Sequence, residues 1–374
     1  MTDDGPIILY GAPQSLYAGR ARSYMIKAGI DYRERPALSE EYVAQKIYRK
    51  AGERVSLPTI MFPDGRVIRD GVAIVDHFEC ERGYPSTPRT PKQNMVSLLL
   101  DAIGAEGLLR PAMHYRFGFM EQREHAIYHF RYTFPERETA VQQIERTATQ
   151  VTPLWGVQPE YTDVIESLYE GLLVKMEAHF AEHPYFLGGK PCVGDFGMIA
   201  PLFGHLGRDP VPLSLMVKLA IHLYRWVERM NRRDSDVGEY DGYPEDFLPD
   251  DEVPKTLIEV LKHLAIDFVP ETRAAGECIN RWLVGQSDLE PGTACERGVG
   301  ETARFDVKGR TMTAMSQPFR FYMLERMQYA FETLESDDRR QVREVLDACD
   351  MSPLLDMKLS RRIGRSNNRE VWLV

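Results

Sequence analysis

The chain has 374 residues, enough for two or three domains, with 43 % hydrophobic and 27 % charged side chains, an ordinary globular balance. Its formal net charge of −10 argues against nucleic-acid and anionic-membrane partners, since both need a basic surface. No apolar run approaches the roughly 20 residues of a membrane helix. The start, MTDDGP, is acidic where a secretory leader is basic and then apolar. Five cysteines (Cys80, Cys192, Cys278, Cys295, Cys349) are scattered and form no CxxC pair. The composition therefore predicts no metal site, no disulfide framework and a reduced, cytoplasmic setting.

Taken in chain order, the apolar run Ile7-Ile8-Leu9-Tyr10, closed by Gly11, predicts a buried strand. After the turn Ala12-Pro13-Gln14-Ser15, apolar positions at helical spacing continue until Gly29. Pro58 opens a second strand, Thr59-Ile60-Met61-Phe62, which Asp64-Gly65 turns and Val67-Ile68 returns. Asp70-Gly71 then precedes a helix carrying Val72, Ile74, Val75 and Phe78. Strand, helix, proline-led hairpin, helix is the order of a thioredoxin-like domain. As an ensemble, Ile7 to about Glu81 resembles the amino-terminal domain of the soluble glutathione transferases.

Pro85, Pro88 and Pro91 forbid continuous helix and mark the first boundary. From Gln93 to Met120 the pattern is helical, with Met95, Leu98, Leu99, Ala102 and Ile103 on one face. The polar, aromatic-studded stretch from His125 to Glu160 shows no clear period. Helical spacing returns over Val164–Phe180 and, as one further helix, over Leu213–Met230. Between them, PYFLGGKPCVGDFGMIAPLFGHL (Pro184–Leu206) resembles the interior of the family's helical domain. There a Ser or Thr, followed three residues later by Asp, caps a buried helix. Here Asp195 is present, but Cys192 holds the hydroxyl position and a thiol is a poor acceptor, so a weakened, structural cap is expected.

The acidic, Gly- and Pro-rich segment Asp234–Pro254 reads as a linker. Beyond it, amphipathic patterns (Leu257-Val260-Leu261-Leu264 and Phe319 to Leu334) flank a loop-like centre, Gly285–Gly309. The basic tail, Arg361, Arg362, Arg365 and Arg369, reads as a solvated terminus. The organisation is thus an α/β thioredoxin-like domain over residues 1–85, an all-helical domain over 91–235, and a mostly helical extension over 236–374.

The resemblance implies glutathione as co-substrate, and an enzyme that keeps its thiol ionised. A free thiol has a pKa of about 8.5. A hydroxyl donor aimed at the sulfur from a helix amino terminus favours the thiolate. Ser15 falls where serine- and cysteine-type members carry that group; its local alternative is a plain helix N-cap. Tyr17 is the substitute donor, and Tyr10 packs beneath the site. Because the turn Ala12–Ser15 lacks a cysteine, no mixed disulfide is expected at this spot. Leu57-Pro58 resembles the family's cis-proline step, whose preceding backbone pairs with glutathione like an added strand. Asp70-Gly71 stands where an acid followed by Ser binds the γ-glutamyl end; here the acid is kept and the hydroxyl lost. Lys46, Arg49, Lys50 and Arg54 are alternatives for the glycyl carboxylate.

An apolar or aromatic electrophile would sit against His114, Tyr115 and Phe117, with His114 or Arg116 as a polar handle. The implied function is a glutathione transferase, acting as a homodimer that joins one subunit's first domain to the other's helical domain. The alternatives are a non-catalytic interaction module built on the long extension, and a glutathione-dependent lyase or isomerase.

Overall fold

The computed structural model describes residues 5–234 and 238–373. The acidic start and residues 235–237 of the expected linker lie outside the described residues. Strand β1 (Ile7–Gly11) runs parallel to β2 (Tyr32–Pro36) and antiparallel to β3 (Thr59–Met61), which pairs with β4 (Val67–Arg69), giving the order β2-β1-β3-β4. Helix α1 (Leu16–Lys27) links the parallel pair, while α2 (Glu40–Ala44) and α3 (Ile47–Lys50) precede β3. Helix α4 (Gly71–Glu81) follows β4 and packs on α1.

Side-chain alternation decides which face each β1 residue serves. Leu9 joins Leu16, Tyr24 and Val75 in the main core, whereas Ile8 and Tyr10 join Tyr42 and Ile47 on the opposite face. Tyr10 lies edge-on to Tyr42, ring centroids 4.9 Å apart, beneath the site rather than in it.

The helical region contains α5 (Pro91–Glu106), α6 (Leu109–Phe117), α7 (Arg123–Phe130), α8 (Arg137–Arg146), α9 (Thr162–Phe180), α10 (Val193–Gly204), α11 (Pro210–Leu219) and α12 (Ile221–Met230). The helical pattern expected over Gln93–Met120 is carried by two helices, α5 and α6, separated at Gly107, where the α5 C-cap stands. Leu213–Met230 divides likewise at Ala220, whose ψ of 65° breaks the helical run. The stretch without a clear period proves to hold α7 and α8, with their own small core of Ala126, Ile127 and Ile144.

Helix α10 packs against α1 and α5. It meets α5 so closely that a Cβ on Gly104 would lie 2.2 Å from the Gly197 carbonyl carbon. Asp195 caps α10 by accepting from the Cys192 amide at 2.9 Å and from Trp226 Nε1 at 2.9 Å. The structural role expected of it is the one it fills, and Cys192 completes the box.

The extension is mostly helical and folds back over both earlier parts. Helix α13 (Lys255–Val284) lies along α9; α14 (Pro318–Glu332) and α15 (Ser336–Ala348) lie on α5. Two hairpins complete it: β5 (Ala303–Val307) with β6 (Arg310–Ala314), and β7 (Ile363–Ser366) with β8 (Arg369–Trp372). The first falls partly inside the stretch that reads as a Gly-rich loop. The second overturns the solvated-tail expectation. Arg69 of β4 is only 3 % exposed and pairs with Glu370 at 2.8 Å, while Asn368 Nδ2 donates to the Val67 carbonyl at 3.0 Å. A charge buried this deeply needs its partner, so the tail closes on the first domain. Among the described residues no helix is long and apolar enough to cross a membrane.

Candidate functional site

The turn between β1 and α1 is clamped by two arginines. Arg22 Nη2 donates to the Ala12 carbonyl at 3.0 Å and also binds Glu34. Arg116 Nη1 donates to the Gln14 carbonyl at 2.7 Å, while its Nε and Nη2 grip Asp209 at 2.7 and 2.9 Å. Such bidentate pairing fixes orientation as well as charge. The clamped turn presents Ser15 as N-cap of α1, its Oγ accepting from the Ala18 amide at 3.2 Å. A hydroxyl that accepts as a cap still has a hydrogen to donate, so the capping and donor readings of Ser15 are compatible. No acidic residue occupies the first turn of α1, leaving the positive end of its dipole uncancelled.

Ser15 stands where two cavities meet. One, of about 330 Å³, is lined by Ser15, Tyr17, Leu57, Asp70 and Gly71, and on its far side by Glu106 of α5 and by extension residues. The other, of about 340 Å³, is largely apolar and runs between Leu57, Leu38, Met113, Phe117 and Phe130. Ser15, Tyr17 and Leu57 border both. The peptide bond between Leu57 and Pro58 is cis. Tyr17 stays a protonated donor: burial, and then the Glu106 carboxylate, push its phenol well above the ordinary value.

Asp70 adopts φ 83°, a left-handed backbone that non-glycine residues rarely hold without support. Both of its oxygens are engaged. Oδ1 accepts from the Val72 amide at 3.2 Å, and Oδ2 pairs with Arg365 of β7 at 2.7 Å. At Gly71 a Cβ would approach the Tyr17 carbonyl oxygen to 3.0 Å, a tight fit that accompanies the loss of a hydroxyl there.

Of the residues expected around an electrophile, Phe117 lines the apolar chamber. His114 and Tyr115 do not, because the helical rotation of α6 turns them to α9. His114 Nε2 meets Glu166 Oε1 at 3.0 Å, and Tyr115 packs against Tyr169 with centroids 4.9 Å apart. Arg116 is no handle either, since it is consumed by Asp209 and backbone carbonyls. Among the four basic residues weighed for a carboxylate, Arg54 alone borders the polar cavity; Lys50, for example, donates to the Gly65 carbonyl at 2.9 Å.

Several lining residues escape sequence reasoning. Arg297, Gln317, Phe319 and Glu370 come from the extension, where no local pattern announces a site. Arg54 and Arg297 make no ion pair with a described residue, and Arg297 lies over the Trp155 ring at 4.6 Å. Glu106 is only 6 % exposed, and burial pushes its carboxyl up to about 7 against the pull of Arg320 and Arg297. A signal for it did exist: it continues the stripe of Leu99, Ala102 and Ile103, where a carboxylate is out of place. Cys295 also borders the cavity, so the spot does hold a thiol. Burial, then Glu370 and Glu296, raise it to about 12, which keeps it protonated and a poor nucleophile.

Residues 9–86 match the family model described as "Glutathione S-transferase, N-terminal domain". No curated protein matches the chain. Solved structures similar to it include Gtt2 from Saccharomyces cerevisiae, at 18 % identity over 61 % of this chain and 97 % of that one, TM-score 0.37. Beta-etherase LigF from Sphingobium sp. strain SYK-6 is 16 % identical over 63 % and 99 %, TM-score 0.42. Glutathione transferase GSTFuA3 from Phanerochaete chrysosporium is 15 % identical over 62 % and 98 %, TM-score 0.42.

Proposed function

From a chain whose residues 9–86 belong to the glutathione S-transferase N-terminal domain family, we propose a glutathione-dependent transferase acting on apolar or aromatic electrophiles. One observation carries the reading: Ser15, a hydroxyl at a helix amino terminus, sits at the junction of a polar cavity and an apolar chamber. A sulfur at that junction would receive the Ser15 O–H and the α1 dipole, both of which favour thiolate. The thiolate then attacks the electrophilic carbon from the polar side, forming a C–S bond as the leaving group departs with its electron pair.

The charge inventory of the polar cavity supports glutathione, which brings two carboxylates and one ammonium. Arg54 suits the glycyl carboxylate, and the Gly71 amide with Arg297 suits the γ-glutamyl carboxylate. Leu57 offers backbone groups to the cysteinyl unit. Asp70 reaches the ammonium only in competition with Arg365. That competition favours a second reading, a non-catalytic module whose extension closes the site.

Retention on immobilised glutathione, followed by thiolate absorbance of the complex, separates the two. Ser15→Ala should raise the bound thiol's pKa and lower turnover near neutral pH, while costing about 0.5–2 kcal/mol of stability through the lost cap. Loss of the thiolate signal in Tyr17→Phe instead would move the role to Tyr17. An unaltered signal in both variants would reject a side-chain donor.

For assembly, the homodimer implied by the resemblance would join a first domain to a helical domain. Within one subunit, Arg326 of α14 already spans those parts, binding Asp76 of α4 at 2.7 Å and Asp101 of α5 at 3.2 Å. A dimer must therefore use a face outside this seam, and sedimentation at high concentration reads whether one forms.

A further inference from the structure

The apolar chamber contains a pair of polar groups that the transferase reading leaves without work. Gln14 is 7 % exposed, and its Oε1 meets no donor. His205 is 5 % exposed and places Nδ1 2.8 Å from the Ala112 carbonyl. A carbonyl only accepts, so Nδ1 carries the hydrogen and Nε2 is left as a lone-pair acceptor. Nothing among the described residues bonds to that nitrogen. Burial first, and then Arg116, hold the imidazole neutral, with its pKa down at about 3.

The backbones that carry the two groups are held by one side chain. Arg116 donates to the carbonyl of Gln14 at 2.7 Å and to that of Gly204, the residue before His205, at 2.7 Å. One guanidinium thus pins both backbones, and both side chains border the same chamber. The positive charge itself is spent on Asp209, and Asp209 is sealed by it, so the chamber offers neither a cation nor an anion to a ligand. An ammonium or carboxylate would enter without a counter-charge, which is heavily penalised. A neutral group that both donates and accepts is what fits. A hydroxyl does: its hydrogen goes to His205 Nε2, and its oxygen accepts from the Gln14 amide, which presents either end on turning over.

We propose that this chamber selects hydroxyl-bearing aromatic molecules, with the hydroxyl seated between His205 Nε2 and the Gln14 amide. The inference rests on the transferase reading for its chemistry but not for its binding. If that reading holds, Gln14 and His205 determine which aromatic electrophiles are accepted.

The test uses the full-length protein without glutathione, in equilibrium dialysis with 1-naphthol and with 1-methoxynaphthalene, which can accept but not donate. The wild type should bind 1-naphthol about 5- to 20-fold more tightly, as expected when a buried acceptor would otherwise go unmet. That preference runs against the order of apolarity. His205→Asn keeps an N–H for the Ala112 carbonyl but removes the second ring nitrogen. It should bring 1-naphthol down to the affinity of the methyl ether while leaving the ether unchanged, and Gln14→Leu should do so in part. Equal affinities in the wild type would overturn the proposal, as would a hydroxyl preference that survives both substitutions. A preference found together with no retention on immobilised glutathione would uphold the chamber assignment and reject the transferase reading.

Discussion

Glu106 puts a buried carboxyl inside the polar cavity, and replacing it by Gln isolates its cost. Burial raises its pKa from 4.5 to about 7. At 1.36 kcal/mol per unit, the full difference is about 3 kcal/mol. The sign follows from proton linkage. A group whose folded pKa is raised contributes fully below the unfolded value and loses that contribution as pH climbs through the folded one. Wild-type stability should therefore decline, relative to Glu106→Gln, across pH 4.5 to 7. Between pH 5 and 8 the variant should gain about 2–3 kcal/mol on the wild type. Gln is isosteric and neutral, and it can still meet the Gln317 amide, which in its satisfied orientation bridges Glu106 and Trp155 Nε1. Paired urea titrations at pH 5, 6, 7 and 8 read this directly, because other titrating groups cancel in the difference. A difference that stays flat with pH would show that Glu106 ionises normally, and the account of a buried carboxyl in the cavity wall would fall.

Arg116→Ala should destabilise by about 3–5 kcal/mol in urea unfolding, since Asp209 is left buried without its partner; Arg116→Lys should recover little, lacking the bidentate fork. Arg365→Ala frees one Asp70 oxygen, so calorimetric glutathione affinity should rise several-fold; a fall would assign Arg365 itself to the ligand. Gly104→Ala drives a methyl against the Gly197 backbone and should cost about 1–3 kcal/mol or prevent folding, read from the thermal midpoint. A chain ending after Arg361 exposes Arg69 and should be cut by protease in the first domain faster than the full chain, by time-course electrophoresis.

How much was legible in the sequence varied with the range of the forces involved. The order of the first domain depends on short-range rules: a run ended by Gly11, a proline at 58, a turn at Asp64-Gly65, and alternation that sends Leu9 one way and Tyr10 the other. The same rules marked Ser15 as a helix cap and Asp195 as another. Helix breaks at Gly107 and Ala220 were missed because apolar spacing continues across them, and only packing reveals where the axis turns.

Tertiary structure alone decided how the cavity is completed. Arg365 and Glu370 reach Asp70 and Arg69 from about 300 residues away in sequence. No local propensity encodes that distance; what drives it is the need to pair the buried charge of Arg69 in β4. Likewise, His114 and Tyr115 turn to α9 while Phe117 faces the chamber, a matter of helix rotation set by the neighbour each side chain packs against. Sequence by itself determined that a hydroxyl would sit at the start of α1. The walls around that hydroxyl, Glu106, Gln14 and His205 among them, come from three separate segments, and burial is what gives them their chemistry.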